Sequence, residues 1–341
     1  MNEPEKILII RLSSIGDIIL SYPLIIELNR KYPDCEIDYL TSTNYQKLLQ
    51  PLAHLLTNIH VFDKDRGFDE IKNYRTIIKN TEYDWIIDIH NKFRSLILSL
   101  FSGAQTYRVK KYRIRRALFV QFRLDIYPET PVYQKYLNTV PVTLNHSDNW
   151  HLKGCNQNQI LKKLKQEIPD LQSDNPTIIM FPGARHATKR WPLKRYLELA
   201  IRTITETNCN VIFGGDEKDA ELLENVHFTS DRITNVCGKY NLLETMCLVS
   251  LADIIVSNDS GPMHMGAAFH KHQIAIFGNT VTDFGFTPLN DRASIIENQG
   301  LECRPCSHIG YEKCPKKHFK CMLDIPVKKI FTNLKNLINL Q

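Results

Sequence analysis

Two polar stretches carry the residue types that group-transfer chemistry needs. Arg11-Leu12-Ser13-Ser14-Ile15-Gly16-Asp17 follows an apolar run at 7–10, and Ser257-Asn258-Asp259-Ser260-Gly261-Pro262-Met263-His264 follows another at 254–256. Each pattern predicts a buried parallel strand ending in a polar, glycine-containing turn that opens a helix. Ligands of open α/β sheets gather at that edge, where strand ends meet helix N-termini. One such edge in each half of the chain predicts two facing domains with a cleft between them.

In the second stretch, Pro262 suits a first helical turn, where its missing N–H is no loss, and Gly261 lets a ligand approach the backbone. Ser260 is a helix cap beside free amides that attract an anion, and His264 lies one turn further on. The same residues also suit an ordinary capped helix with a buried histidine. A second loop, Phe181-Pro182-Gly183-Ala184-Arg185-His186-Ala187-Thr188-Lys189-Arg190-Trp191-Pro192, brings cations to a strand end, as a diphosphate requires. Phe213-Gly214-Gly215-Asp216-Glu217 puts carboxylates where a ribose diol can be bound. The turn at 13–17 lacks the glycine signature of a dinucleotide site. Asp17 there is placed either as a general base for a hydroxyl nucleophile or as a favourable charge in a first helical turn.

The elements that must position these residues follow from periodicity. Strands are expected at 6–11, 36–40, 60–62, 84–90 and 106–109, and helices at 17–31, 45–49, 68–80, 94–101 and 113–122. After a lapse rich in proline and polar residues, strands are expected at 177–181, 211–213, 233–236, 253–256 and 273–277, alternating with helices at 193–207, 218–225, 241–250 and 262–269. Such alternation implies parallel sheets covered on both faces. The expected division is 1–150, a linker at 151–175, a second domain at 176–324, and a helix at 325–341 that may pack back across the junction.

No run reaches the roughly 20 apolar residues of a membrane span, and the acidic N-terminus is not that of a signal peptide; a cytoplasmic protein is expected. Seven cations (Arg108, Lys110, Lys111, Arg113, Arg115, Arg116 and Arg123) fall in one segment without an acid and with apolar residues between them. That composition suits either an anionic surface such as phosphates, sugar acids or headgroups, or a solvated helix face. Of nine cysteines, Cys35, Cys155, Cys209, Cys237 and Cys247 read as scattered buried thiols. Cys303, Cys306, Cys314 and Cys321 have a spacing that can supply four thiolates to a structural zinc, or remain packing thiols, or form a redox bridge.

These motifs, in this order, make the chain resemble family 9 glycosyltransferases, the ADP-heptose:lipopolysaccharide heptosyltransferases. The likeness rests on residues 6–17, 182–192, 213–216 and 257–277, on His90 with Arg94-Ser95, and on the cysteines from 303 onward. It implies a GT-B fold of two doubly wound Rossmann-like domains, an inverting transfer in one displacement, and no obligatory metal. By that resemblance Asp17 is the base, Lys189 and His264 act beside it, and Ala184, Lys189, Asp216, Glu217, Asp259, Ser260, Gly261 and His264 hold an ADP-sugar. Ser14, Gly16, His90, Arg94, Lys110, Arg113 and Arg116 would meet an anionic lipid-linked acceptor of the inner core at the cytoplasmic face of the inner membrane. One departure stands out: Gly278 is followed by Asn279-Thr280 where relatives often have Pro-Thr.

Two other readings keep the fold. One is a glycosyltransferase that uses another nucleotide sugar for capsule or glycolipid; the other is a non-catalytic nucleotide-sugar-binding protein. A pure binder has no need of Asp17. A nucleic-acid partner is not expected from a net charge of +6, and a dehydrogenase is disfavoured by the missing Gly-x-Gly-x-x-Gly.

Overall fold

The apolar runs form strands whose side chains are buried on both faces, as parallel sheets between helices require. The computed structural model describes residues 3–124, 126–144 and 150–340. It divides into a unit of Met1–Tyr112 with Thr130–Trp150 and a unit of Arg113–Glu129 with His151–Gln341.

In chain order the elements begin with β1 (Lys6–Ile10), α1 (Ile15–Ile19), α2 (Tyr22–Lys31), β2 (Glu36–Ser42), β3 (Asn58–Phe62), α3 (Gly67–Thr81), β4 (Trp85–Asp88), α4 (Phe93–Ser99) and β5 (Gln105–Arg108). They continue with α5 (Arg113–Phe122), α6 (Val132–Leu137), α7 (Asn158–Glu167), β6 (Thr177–Phe181), α8 (Leu193–Glu206), β7 (Asn210–Phe213), α9 (Glu217–Leu223) and β8 (Ile233–Asn235). The last are α10 (Leu242–Leu251), β9 (Ile254–Asn258), α11 (Gly261–Ala268), β10 (His272–Phe277), β11 (Ala293–Glu297), α12 (Lys320–Leu323) and α13 (Val327–Ile338).

The first unit holds a five-stranded parallel sheet in the order β3-β2-β1-β4-β5. The second holds a six-stranded parallel sheet in the order β11-β10-β9-β6-β7-β8. In each, the winding reverses beside the central strand, between β1 and β4 and between β6 and β9. Such switch points open a crevice at the carboxyl ends of the strands, and there α/β proteins bind ligands.

Several boundaries differ from the sequence expectation for identifiable reasons. The helix expected at 17–31 is broken into α1 and α2, because Pro23 sits in the first turn of α2 and has no N–H to continue the ladder. The helix expected at 45–49 is a 3-10 segment, Thr43–Leu55, with Pro51 inside it. The edge strand β11 was not expected, since only Ile295 and Ile296 carry its apolar signal. The stretch 151–175 is not simply a linker, for α7 buries Leu164 there and packs on α10; the polar residues 145–149 before it lie outside the described residues.

Cys155 and Cys247, read from sequence as separate thiols, are joined in a disulfide with a Cα–Cα distance of 5.1 Å. Ninety-two positions separate them, so only the packing of the segment before α7 onto α10 brings them together. Arg113–Glu129 groups with the second unit although it lies inside 1–150; Phe119 of α5 rests on Tyr127 and Phe284, with ring centroids 6.2 and 5.8 Å apart. The final helix α13 buries Val327, Ile330, Phe331, Leu334 and Leu337 in the same core as β6, β7, β9 and β10. Phe331→Ala is therefore expected to lower the unfolding free energy of the second unit by about 3–5 kcal/mol in a urea titration.

Candidate active site

In the first unit the crevice between β1 and β4 is built around Asp17. Arg11 leaves the end of β1 and donates to the carbonyls of Ser13 (2.6 Å) and Ile89 (2.5 Å), fastening the loops after β1 and β4 together. Its Nη2 lies 2.5 Å from Asp17 Oδ1. The Tyr136 hydroxyl from α6 donates to the same oxygen at 3.0 Å, and Ser14 donates to Oδ2 through its amide (3.2 Å) and hydroxyl (2.8 Å). Burial pushes the Asp17 carboxyl up, but Arg11, Ser14 and Tyr136 outweigh it and bring it down to about 2. Asp17 is thus an ionised carboxylate at every physiological pH, with side-chain exposure of only 13%.

His90 stands at the end of β4, its amide held at 3.0 Å by the buried carboxylate of Asp88. Lys111 donates to the His90 carbonyl. Burial, Arg11, Lys92 and Lys111 push the imidazole down to about 3, so it is neutral. Ser14, Gly16, Asp17 and His90 therefore gather around Arg11. Arg94 is exposed on α4 and Lys110 is exposed after β5. Arg113 and Arg116 belong to the second unit.

In the second unit, the end of β9 organises the loop after β6. Asn258 is fully buried and donates to the carbonyls of Pro182 (2.8 Å) and Gly183 (3.2 Å), while its own oxygen accepts from the Trp191 amide at 2.9 Å. That clamp sets Lys189, whose Nζ lies 2.6 Å from Asp259 Oδ2. The Thr280 hydroxyl donates to the same oxygen at 2.6 Å. Burial raises the Asp259 carboxyl, yet Lys189, Thr280 and His264 leave it below its ordinary value. Thr280 makes this bond although Asn279, and not a proline, precedes it. Arg304 fixes it, donating to the carbonyls of Gly278 (2.6 Å) and Thr280 (2.7 Å) and to Glu297 (2.6 Å).

Ser260, Gly261 and Pro262 open α11 beside Asp259. The first amides of that helix have no intrahelical partner and carry the positive end of its dipole. His264 is buried in the same helix, at 3% exposure. Ala184 accepts from Arg190 through its carbonyl at 2.7 Å. Asp216 caps α9, accepting from the amides of Lys218 (3.0 Å) and Asp219 (3.2 Å), and Glu217 is exposed beside it. Arg116 and Lys189 both bear on His308 and, with burial, push its imidazole down to about 4.

Sequence reasoning missed Arg11, Tyr136, Asn258, Arg304 and Asp219. The last lies so close to Gly183 and Gly215 that a Cβ at either would collide with its carboxyl group. Burial and neighbouring Asp216 raise Asp219 from 3.8 to about 6.

The four clustered cysteines are free. Burial and then the neighbouring thiols raise Cys306, and burial with Cys306 leading the cluster's contribution raises Cys321 to about 12. Among the described residues, no three His, Cys, Asp or Glu side chains are arranged to hold a metal ion. Cys303 meets His318 at 3.7 Å. Protein contacts also hold the segment: besides Arg304, Tyr311 exchanges bonds with Thr188, its amide donating to Thr188 Oγ1 at 2.8 Å and its carbonyl accepting from the Thr188 amide at 3.0 Å.

With this geometry in place, comparison with known proteins identifies the lineage. The model of glycosyltransferase family 9 (heptosyltransferase) matches residues 72–317. The chain belongs to that family and is a glycosyltransferase. Lipooligosaccharide heptosyltransferase 2 of Haemophilus influenzae is 29% identical over 85% of this chain and 88% of its own length. Lipopolysaccharide heptosyltransferase 2 of Escherichia coli is 25% identical over 98% of each chain. Among solved structures, ADP-heptose LPS heptosyltransferase II of E. coli superposes with a TM-score of 0.77 at 24% identity, covering 98% of this chain and 99% of that one. The family 9 glycosyltransferase of Veillonella parvula gives 0.81 at 19% identity, covering 100% and 99%. These likenesses show the GT-B fold expected from the sequence.

Asp219 gives the enzyme a testable pH signature. Its carboxyl is raised in the folded state, so its stabilising contribution is complete below about 3.8 and is lost as pH rises through about 6. Asp219→Asn should raise the thermal midpoint at pH 8, and that gain should shrink as the midpoint is measured from pH 6 down to pH 4.

Proposed function

We propose that this glycosyltransferase moves a heptose from ADP-heptose to the inner core of lipopolysaccharide, with inversion, at the cytoplasmic face of the inner membrane. The observation that carries the reading is the Lys189–Asp259–Thr280 cluster beside the first turn of α11, at the switch point of the second sheet. It is what a sugar diphosphate needs: a cation with donors to spare and unpaired amides at the positive end of a helix. Curated relatives with heptosyltransferase names along most of the chain supply the sugar and the acceptor class. No helix among the described residues is long and apolar enough to cross a membrane.

In the proposed reaction the acceptor hydroxyl oxygen bonds to the anomeric carbon as the bond from that carbon to the β-phosphate oxygen breaks. The electron pair leaves on ADP, and the hydroxyl proton passes to an oxygen of Asp17. Lys189 and the α11 amides stabilise the charge that develops on the diphosphate. His264 and Asp259 flank that position, with Ser260, Gly261 and Ala184 lining it. Asp216 keeps its capping role and can offer its second oxygen to the ribose, with Glu217 next to it. Ser14, Gly16, His90, Arg94 and Lys110 of the first unit face the acceptor sugars in this reading, while Arg116 beside His308 adds positive charge near Lys189, with Arg113 on the same helix.

The donor is tested by thermal stabilisation with a panel of ADP-, UDP-, GDP- and CDP-sugars: the ADP-sugar should raise the midpoint most, and preference for another base would replace the donor named here. Asp17→Asn should lower transfer by about a thousandfold with ADP affinity unchanged; sustained turnover would remove Asp17 as the base. In calorimetry, Lys189→Ala should weaken ADP binding by about ten- to a hundredfold. Thr280→Val, which frees Asp259 from one donor, should weaken it by several-fold in the same titration.

A further inference from the structure

Helix α5 turns its apolar side outward. Ile114, Ala117, Leu118, Gln121 and Phe122 recur at the spacing of one helical face, with Ile114 77% and Phe122 63% exposed. No residue of the helix is buried. The opposite side is the one held by the protein, where Phe119 meets Tyr127 and Phe284. The apolar face continues past the helix end through Leu124 and Ile126, 47% and 43% exposed.

Charge selects the occupant. Between Asp88 and Asp125 the sequence has no acidic residue; Arg113 and Arg115 flank the exposed face, while Arg123 at its end donates to the carbonyls of Val120 and Glu302. A second copy of the chain docked about a two-fold axis would bring these cations against each other, since such interfaces pair a patch with itself. A bilayer containing anionic lipid meets both demands: its boundary takes the apolar side chains and its headgroups take the arginines.

We propose that α5 is an interfacial helix that docks the enzyme on an anionic membrane surface. This rests on the reading that the acceptor is lipid-linked, but it is tested apart from transfer. The purified full-length protein is sedimented with vesicles of phosphatidylcholine alone and with vesicles that also contain phosphatidylglycerol. Preferential binding to the anionic vesicles is expected. Ile114→Ser combined with Phe122→Ser should reduce that binding by about tenfold or more, and Arg115→Gln by about fivefold. ADP affinity and circular dichroism should stay as in the parent.

Equal sedimentation with both vesicle types, or undiminished binding by the double serine variant, overturns the proposal. So does a parent dimer in gel filtration that the double variant dissociates, since the face would then belong to a second copy. Because the vesicles contain no acceptor, a failure here leaves the heptose-transfer reading standing, and a failure of transfer leaves the docking result standing.

Discussion

A carboxylate buried at the end of a parallel sheet is tolerable only where a cation and further donors meet it, and each unit meets this condition at its switch point. Asp17 is answered by Arg11 and Asp259 by Lys189. Much of the local architecture serves these pairs. Arg11 reaches Asp17 while tying the β1 and β4 loops together, and Lys189 reaches Asp259 because Asn258 holds the loop from Pro182 to Trp191. Neither pair is a surface ion pair of little consequence. Removing one member would strand a buried charge, so both crevices are fixed before any ligand arrives.

The two pairs leave different capacities unspent. An ammonium has three N–H donors, and Lys189 gives one to Asp259; a diphosphate can engage the others without breaking the pair. Asp17 already accepts four hydrogen bonds, two on each oxygen. A sugar hydroxyl that approached it would have to take the place of a neutral donor, Ser14 or Tyr136, because the arginine contact is the strongest of the four.

The sequence pattern was legible where a residue's role depends on its own strand end. Asp17, Lys189, Asp259 and the opening of α11 all lie in the turns that follow apolar runs, and the alternation of elements implied two parallel sheets. What it could not disclose depends on contacts distant in the chain. Tyr136 lies 119 residues from Asp17, and Arg304 lies 24 residues beyond the Thr280 carbonyl it holds; neither belongs to a motif. The cysteine spacing drew attention to this segment as a ligand set, but not to the contacts that Arg304 and Tyr311 make from it. They grip the two loops that carry Thr280 and Lys189.

The low affinity of Asp17 for protons constrains how transfer can proceed. A carboxyl held at about 2 cannot remove a proton from an alcohol in advance, since the alcohol is many orders of magnitude less acidic. Proton transfer becomes favourable only once the new bond to the anomeric carbon has drawn electron density from the hydroxyl oxygen. In the proposed reaction bond breaking toward the diphosphate then leads, and Lys189 and the amides of α11 ease it. The first unit in that reaction offers an ionised acceptor at a fixed place, since Arg11, Ser14 and Tyr136 together outweigh the burial that raises Asp17.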